Sequence, residues 1–66
     1  MKASEIQAKT SEQIQKDIRD AQEELMNLRF QKESGQLPDS SLLGKLRRDI
    51  ARMKTILHER ELLGQS

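Results

Sequence analysis

The 66-residue chain has no cysteine, tryptophan or tyrosine, and it has a single phenylalanine, Phe30, and a single histidine, His58. Without cysteine it cannot form a disulfide or a thiolate zinc site, and one histidine is too few for a typical metal site. No nucleophile–base pair and no glycine-rich phosphate loop can be assembled from these residues. The sequence therefore predicts a protein that is not an enzyme and that binds no metal, cofactor or small-molecule substrate.

Long hydrophobic runs are also missing, because apolar residues make up 33% of the chain and charged residues 35%. No segment approaches the roughly 20 apolar residues that span a bilayer. Residues 1–13 have no hydrophobic stretch of the signal-peptide type. We expect a soluble, intracellular protein of one domain over residues 1–66. A chain of this size builds only a small core, so a partner is expected to add stability.

Apolar residues recur at spacings of three and four in both halves of the chain, which is the pattern of coiled-coil seams. In the first half these seam residues are Ile14, Ile18, Ala21, Leu25 and Leu28. In the second half they are Leu43, Leu46, Ile50, Met53 and Leu57. No alternating strand pattern competes with them. The sequence therefore predicts an all-α fold with two long helices.

Residues with known positional preferences mark the helix ends. Thr10 followed by Gln13 is a capping box at a helix start. Gly35 suits a helix end, Pro38 cannot continue a helix, and Asp39 or Ser40 can cap the next one. The predicted elements are a helix over about residues 10–34, a loop over 35–39 and a helix over about 40–63.

The loop is short enough to make the two helices antiparallel, so the predicted architecture is a helical hairpin with long arms. Residues 3–9 are predicted to form one further helical turn, with Ile6 against the open end of the hairpin.

The net charge of +1 conceals a basic stretch over residues 45–54, with five bases and one acid. On a helical wheel of about 100° per residue, these bases border a strip of small residues opposite the seam. The small residues are Gly44, Ala51 and Thr55, and the bases are Lys45, Arg47, Arg48, Arg52 and Lys54. Small side chains allow a phosphate backbone to approach closely while longer cations reach around it.

Charge pairing differs between the two predicted helices. On the first helix, charges have partners of opposite sign four residues away, whereas Arg47, Arg48 and Lys54 have no acid three or four residues away. Structured RNA fits such a surface, because guanidinium groups match phosphates. A solvated basic face is the alternative.

A second surface is defined by Met26 and Phe30, which lie four residues apart on the side of the first helix away from its seam. They form a contact patch for a protein or RNA neighbour, or Phe30 folds against Leu37 and Leu42 to close the loop.

Four segments together resemble bacterial large-subunit ribosomal protein 29. They are MKASEI at residues 1–6, NLRFQ at 27–31, SGQL at 34–37 and RRDIARMKTIL at 47–57. The resemblance covers essentially the whole chain in order. Pro38 and Asp39 depart from it in a variable loop, and Gly44 stands where the family is expected to have a longer side chain.

The resemblance implies a helical hairpin that binds large-subunit ribosomal RNA and is a structural constituent of the cytoplasmic ribosome. It implies a position at the rim of the polypeptide exit tunnel beside large-subunit ribosomal protein 23, where trigger factor and the signal recognition particle dock. Carried over residue by residue, it assigns RNA contact to Arg47, Arg48, Arg52, Lys54, Lys2 and Arg29. Lys45 joins this set through its place on the wheel.

A rival interpretation is a homodimer without RNA, in which two hairpins form a four-helix bundle through Met26 and Phe30. The coiled-coil seams permit this arrangement.

Overall fold

The computed structural model describes residues 2–36 and 41–64, which form three helices and no strand. They are α1 (Ala3–Gln7), α2 (Ser11–Glu33) and α3 (Ser41–Leu62). Helix α2 packs along α3, and α1 packs against α3. The all-α hairpin with a short N-terminal helix is therefore confirmed. The end at which α2 finishes and α3 begins is called the loop end, and the other is the open end.

The start of α2 is fixed by the predicted capping box. The Gln13 backbone N–H donates to Thr10 Oγ1 at 3.2 Å, and the Thr10 backbone N–H donates to Gln13 Oε1 at 3.0 Å. Gly35 and Gly64, which follow α2 and α3, have φ angles of +76° and +72°. Side chains disfavour this left-handed conformation, so glycine ends both helices, as expected at Gly35. The predicted turn at Pro38 and the cap at Asp39 or Ser40 lie outside the described residues.

The core is a single row of apolar side chains between the helices. Its buried members are Ile6, Ile14, Ile18, Ala21, Ile50, Met53 and Ile56, with Leu25, Leu46 and Leu57 packed against them. Ile6 is 0% exposed, in agreement with its predicted contact. The predicted seam omitted Ile56, which lies in the same core as Ile6 of α1 and lines a groove with Gln7.

Polar contacts join the helices at the open end. Arg60 Nη1 donates to Ser11 Oγ at 3.2 Å, and its Nη2 donates to the Gln7 carbonyl oxygen at 3.1 Å. Lys9, between α1 and α2, pairs with Asp17. One guanidinium therefore links α3 to both α1 and the first residue of α2. Among the described residues, no helix has an apolar stretch long enough to cross a bilayer.

Candidate nucleic-acid interface

The outward surface of α3 is set by the residues that the helix buries. Ile50 and Met53 are buried against α2, with exposures of 7% and 1%. Arg48 and Arg52 lie on the opposite side at about 100° per residue, and all five bases of residues 45–54 are exposed. The buried seam therefore holds α3 in the orientation that presents these charges to solvent.

The strip of small residues is more occupied than the wheel suggests. The Arg48 guanidinium lies over Gly44, with Nη1 3.4 Å from the position that a Cβ on residue 44 would take. The Thr55 hydroxyl donates to the Ala51 carbonyl oxygen at 2.8 Å, so it is already used within the helix. The strip is open along Ala51 and Thr55 and covered by Arg48 at Gly44.

Ion pairing within the two helices departs from the sequence expectation. Within residues 2–36 and 41–64, Arg47, Arg48 and Lys54 form no ion pair, as predicted. The pairs expected at four-residue spacing on α2, such as Arg19 with Glu23, also do not close in this part of the chain. The outer surfaces of α2 and α3 therefore differ in the sign of their charges. Acidic and basic side chains alternate on α2, whereas those of α3 are mainly basic.

One groove between α2 and α3 near the loop end is basic. It has a volume of about 490 Å³ and is lined by Arg29, Lys32, Glu33, Leu43 and Arg47. The structure thus brings together Arg29 and Arg47, two of the predicted RNA-binding residues. Lys32 was not predicted. Its three-residue spacing from Arg29 could have indicated it, because residues three apart are neighbours on the surface of a helix. This space is called the basic groove.

The groove on the other side of the seam is acidic. It has a volume of about 320 Å³, and its charged lining residues are Lys9, Asp17, Asp20, Glu24 and Asp49. Lys45 lines an adjoining groove with Glu24 and Asp49. The structure therefore places Lys45 beside the acidic groove. The hairpin has opposite charge on its two sides.

Lys2 lies near the open end of the hairpin. It directly precedes α1, whose Gln7 contacts Arg60 at the open end. Arg47 lies thirteen residues before Arg60, or about 20 Å along the helix. Lys2 is exposed and does not line the groove that holds Arg29 and Arg47.

Met26 and Phe30 are 70% and 73% exposed, so neither side chain is packed into the core. Leu42, at 43% exposure, does not bury Phe30, and Leu37 lies outside the described residues. The apolar patch is therefore available to a neighbour. His58 is exposed, and the described residues contain no cluster of His, Cys, Asp and Glu suited to a metal ion.

These features define a class of small helical hairpin that carries a set of exposed cations on one helix. The family model described as ribosomal L29 protein matches residues 4–60. The chain belongs to this family, which confirms the resemblance seen in the sequence.

Relatives that bear the name large ribosomal subunit protein uL29 align with nearly all of the chain. Those from Geobacillus stearothermophilus and Thermosipho africanus are each 52% identical to it over 62 residues, covering 94% of both chains. The one from Thermotoga petrophila is 50% identical with the same coverage.

Proposed function

We propose that this protein is a structural constituent of the large ribosomal subunit that binds large-subunit ribosomal RNA through the outer cations of α3, Arg47, Arg48, Arg52 and Lys54. The observation behind the proposal is that a buried seam fixes these exposed cations on one rigid helix. Family membership and the names of the relatives support the ribosomal assignment. The protein acts by binding and not as an enzyme, and its location is the cytoplasmic ribosome.

The binding mechanism is electrostatic and positional. Guanidinium groups donate two parallel hydrogen bonds to phosphate oxygens, and such charge-assisted contacts are stronger than neutral ones. Contacts of this kind fix the position of the protein on RNA without reading its sequence. About four phosphate contacts, at roughly −0.7 to −0.9 each, give a slope of log K against log salt of about −2.8 to −3.6.

Protein neighbours form a second part of the proposal. The family resemblance favours a position at the rim of the exit tunnel beside large-subunit ribosomal protein 23, with trigger factor and the signal recognition particle as visiting factors. The exposed Met26 and Phe30 supply an apolar surface for such a neighbour. A photo-crosslinking residue at position 30 is expected to capture large-subunit ribosomal protein 23 in assembled subunits. Capture of RNA alone would contradict this assignment.

The experiment for RNA binding is a charge reversal, Arg48→Glu. The thermal midpoint of the free protein should change little, because Arg48 lies opposite the seam, and the new glutamate can even pair with Arg52 four residues on. The affinity for large-subunit ribosomal RNA, measured at one fixed salt concentration, should fall by tenfold or more because an attraction becomes a repulsion.

Arg19→Glu is the matched control, since Arg19 is an exposed arginine on α2. Its effect should be small, because charges farther than about 8 Å from the RNA are screened at physiological salt. If the affinity held in Arg48→Glu while the midpoint fell, Arg48 would be structural and α3 would not be the interface. Dimerisation without RNA in sedimentation would favour the homodimer interpretation.

A further inference from the structure

The basic groove lies beside the outer cations of α3 and is formed by both long helices. Arg29 and Lys32 come from the last two turns of α2, and Arg47 comes from the second turn of α3. We propose that this groove is a second phosphate-binding site, so that the RNA backbone crosses from α3 onto α2 at the loop end. The inference rests on the proposed function and adds a site in which Lys32 is a binding residue.

The charges in the groove favour an anion. Three cations and one acid, Glu33, line it, and the half-buried Leu43 supplies an apolar wall. A cleft lined by one sign of charge with low-dielectric walls concentrates the electrostatic field and attracts counter-ions. In the part of the chain that the structure describes, none of the three cations has an ion-pair partner. An external anion can therefore pair with all three.

Arg47 connects the groove with the outer surface of α3, because it belongs to both. A nucleic-acid backbone held by Arg48 and Arg47 already reaches the rim of the groove, and Lys32 lies on its far side. The ammonium group of lysine is a point charge on a flexible stem, so it can follow a phosphate without a fixed fork geometry. The acidic groove on the opposite side repels the same backbone. Together the two grooves set which side of the hairpin faces RNA.

The test compares Lys32→Gln with Lys16→Gln, the same change at another exposed lysine of α2. The probe is the large-subunit ribosomal RNA of Geobacillus stearothermophilus transcribed in vitro, titrated at several salt concentrations. Lys32→Gln should weaken binding roughly two- to fivefold, the size of an exposed charge contact. It should also reduce the salt slope by about 0.7–0.9, the amount for one lost phosphate contact. Lys16→Gln should do neither, and Lys32→Arg should keep wild-type affinity.

Glu33→Gln is predicted to increase the affinity for RNA, and damage to the fold cannot produce such an increase. Removing the one acid of the basic groove should strengthen binding, whereas Glu12→Gln at the start of α2 should not. The groove inference is overturned if Lys32→Gln and Lys16→Gln bind alike while Arg48→Glu still weakens binding, and the proposed function then stands. If Arg48→Glu and Lys32→Gln both bind as wild type, the inference and the proposed function fail together.

Discussion

Replacing Ile6 with alanine should remove most of the stability of the free protein. Ile6 is the buried residue of α1 and is 0% exposed. Helix α1 has five residues and no side-chain bond at its N-cap, and a helix that short is not stable alone. Its attachment therefore depends on Ile6 and on the hydrogen bond between Arg60 and the Gln7 carbonyl.

The cost of Ile6→Ala follows from the atoms removed. Three carbon atoms at about 0.8 kcal/mol each give about 2.4 kcal/mol of lost transfer free energy. A residual cavity raises the usual range to about 2–5 kcal/mol. We expect about 2–3 kcal/mol here, because a five-residue helix at the open end can shift to close part of the cavity. A core of this size supplies about 3–5 kcal/mol in total, so the loss is severe.

The assay for Ile6→Ala is urea denaturation followed by circular dichroism. Leu62→Ala is the matched control, because it shortens an aliphatic side chain that is 72% exposed. Its effect should stay within about 0.5 kcal/mol. If the Ile6→Ala variant also stayed within about 0.5 kcal/mol of wild type, α1 would not be packed on the hairpin in solution, and the reasoning would be refuted.

Three smaller changes have predictable effects on stability. Thr10→Ala should lower the free energy of unfolding by about 1 kcal/mol, because it removes the acceptor of the Gln13 N–H; an unchanged urea midpoint would contradict the cap. Gly44→Ala should raise it by up to about 1 kcal/mol, since the new Cβ makes only an ordinary contact with the flexible Arg48; a lower melting temperature would refute this. Arg60→Gln should increase hydrogen exchange in α1 more than in the middle of α2, and equal increases would contradict its role as a link.

The two long helices could be predicted because their signals are local in the sequence. The seam spacing and the capping box at Thr10 and Gln13 each involve residues within a turn or two of one another. The boundaries of α2, Ser11–Glu33, lie within one residue of those expected from these signals. Resemblance to the family identified the class of protein, which composition and periodicity alone could not have done.

The features that sequence analysis missed depend on contacts between distant segments. Ile56 is buried in the same cluster as Ile6 of α1, and Arg60 finds its partners 49 and 53 residues away. The charges around Lys45 and Lys32 depend in the same way on packing between helices, because each residue lines a groove formed by α2 and α3. A wheel drawn for one helix gives the direction of a side chain, but the charge of a groove depends on the neighbouring helix as well.

RNA binding and folding of the hairpin should be coupled, because the proposed site is formed by α2 and α3 together. A ligand that binds only the folded state stabilises it by about 2.7 kcal/mol when its free concentration is about 100 times Kd. Amides that exchange through global unfolding should then exchange about 100-fold more slowly. Hydrogen exchange read by mass spectrometry can compare α2 with α3, with and without RNA. Protection confined to α3 would show that RNA binds this helix without the packed hairpin, and the two-helix site would be wrong.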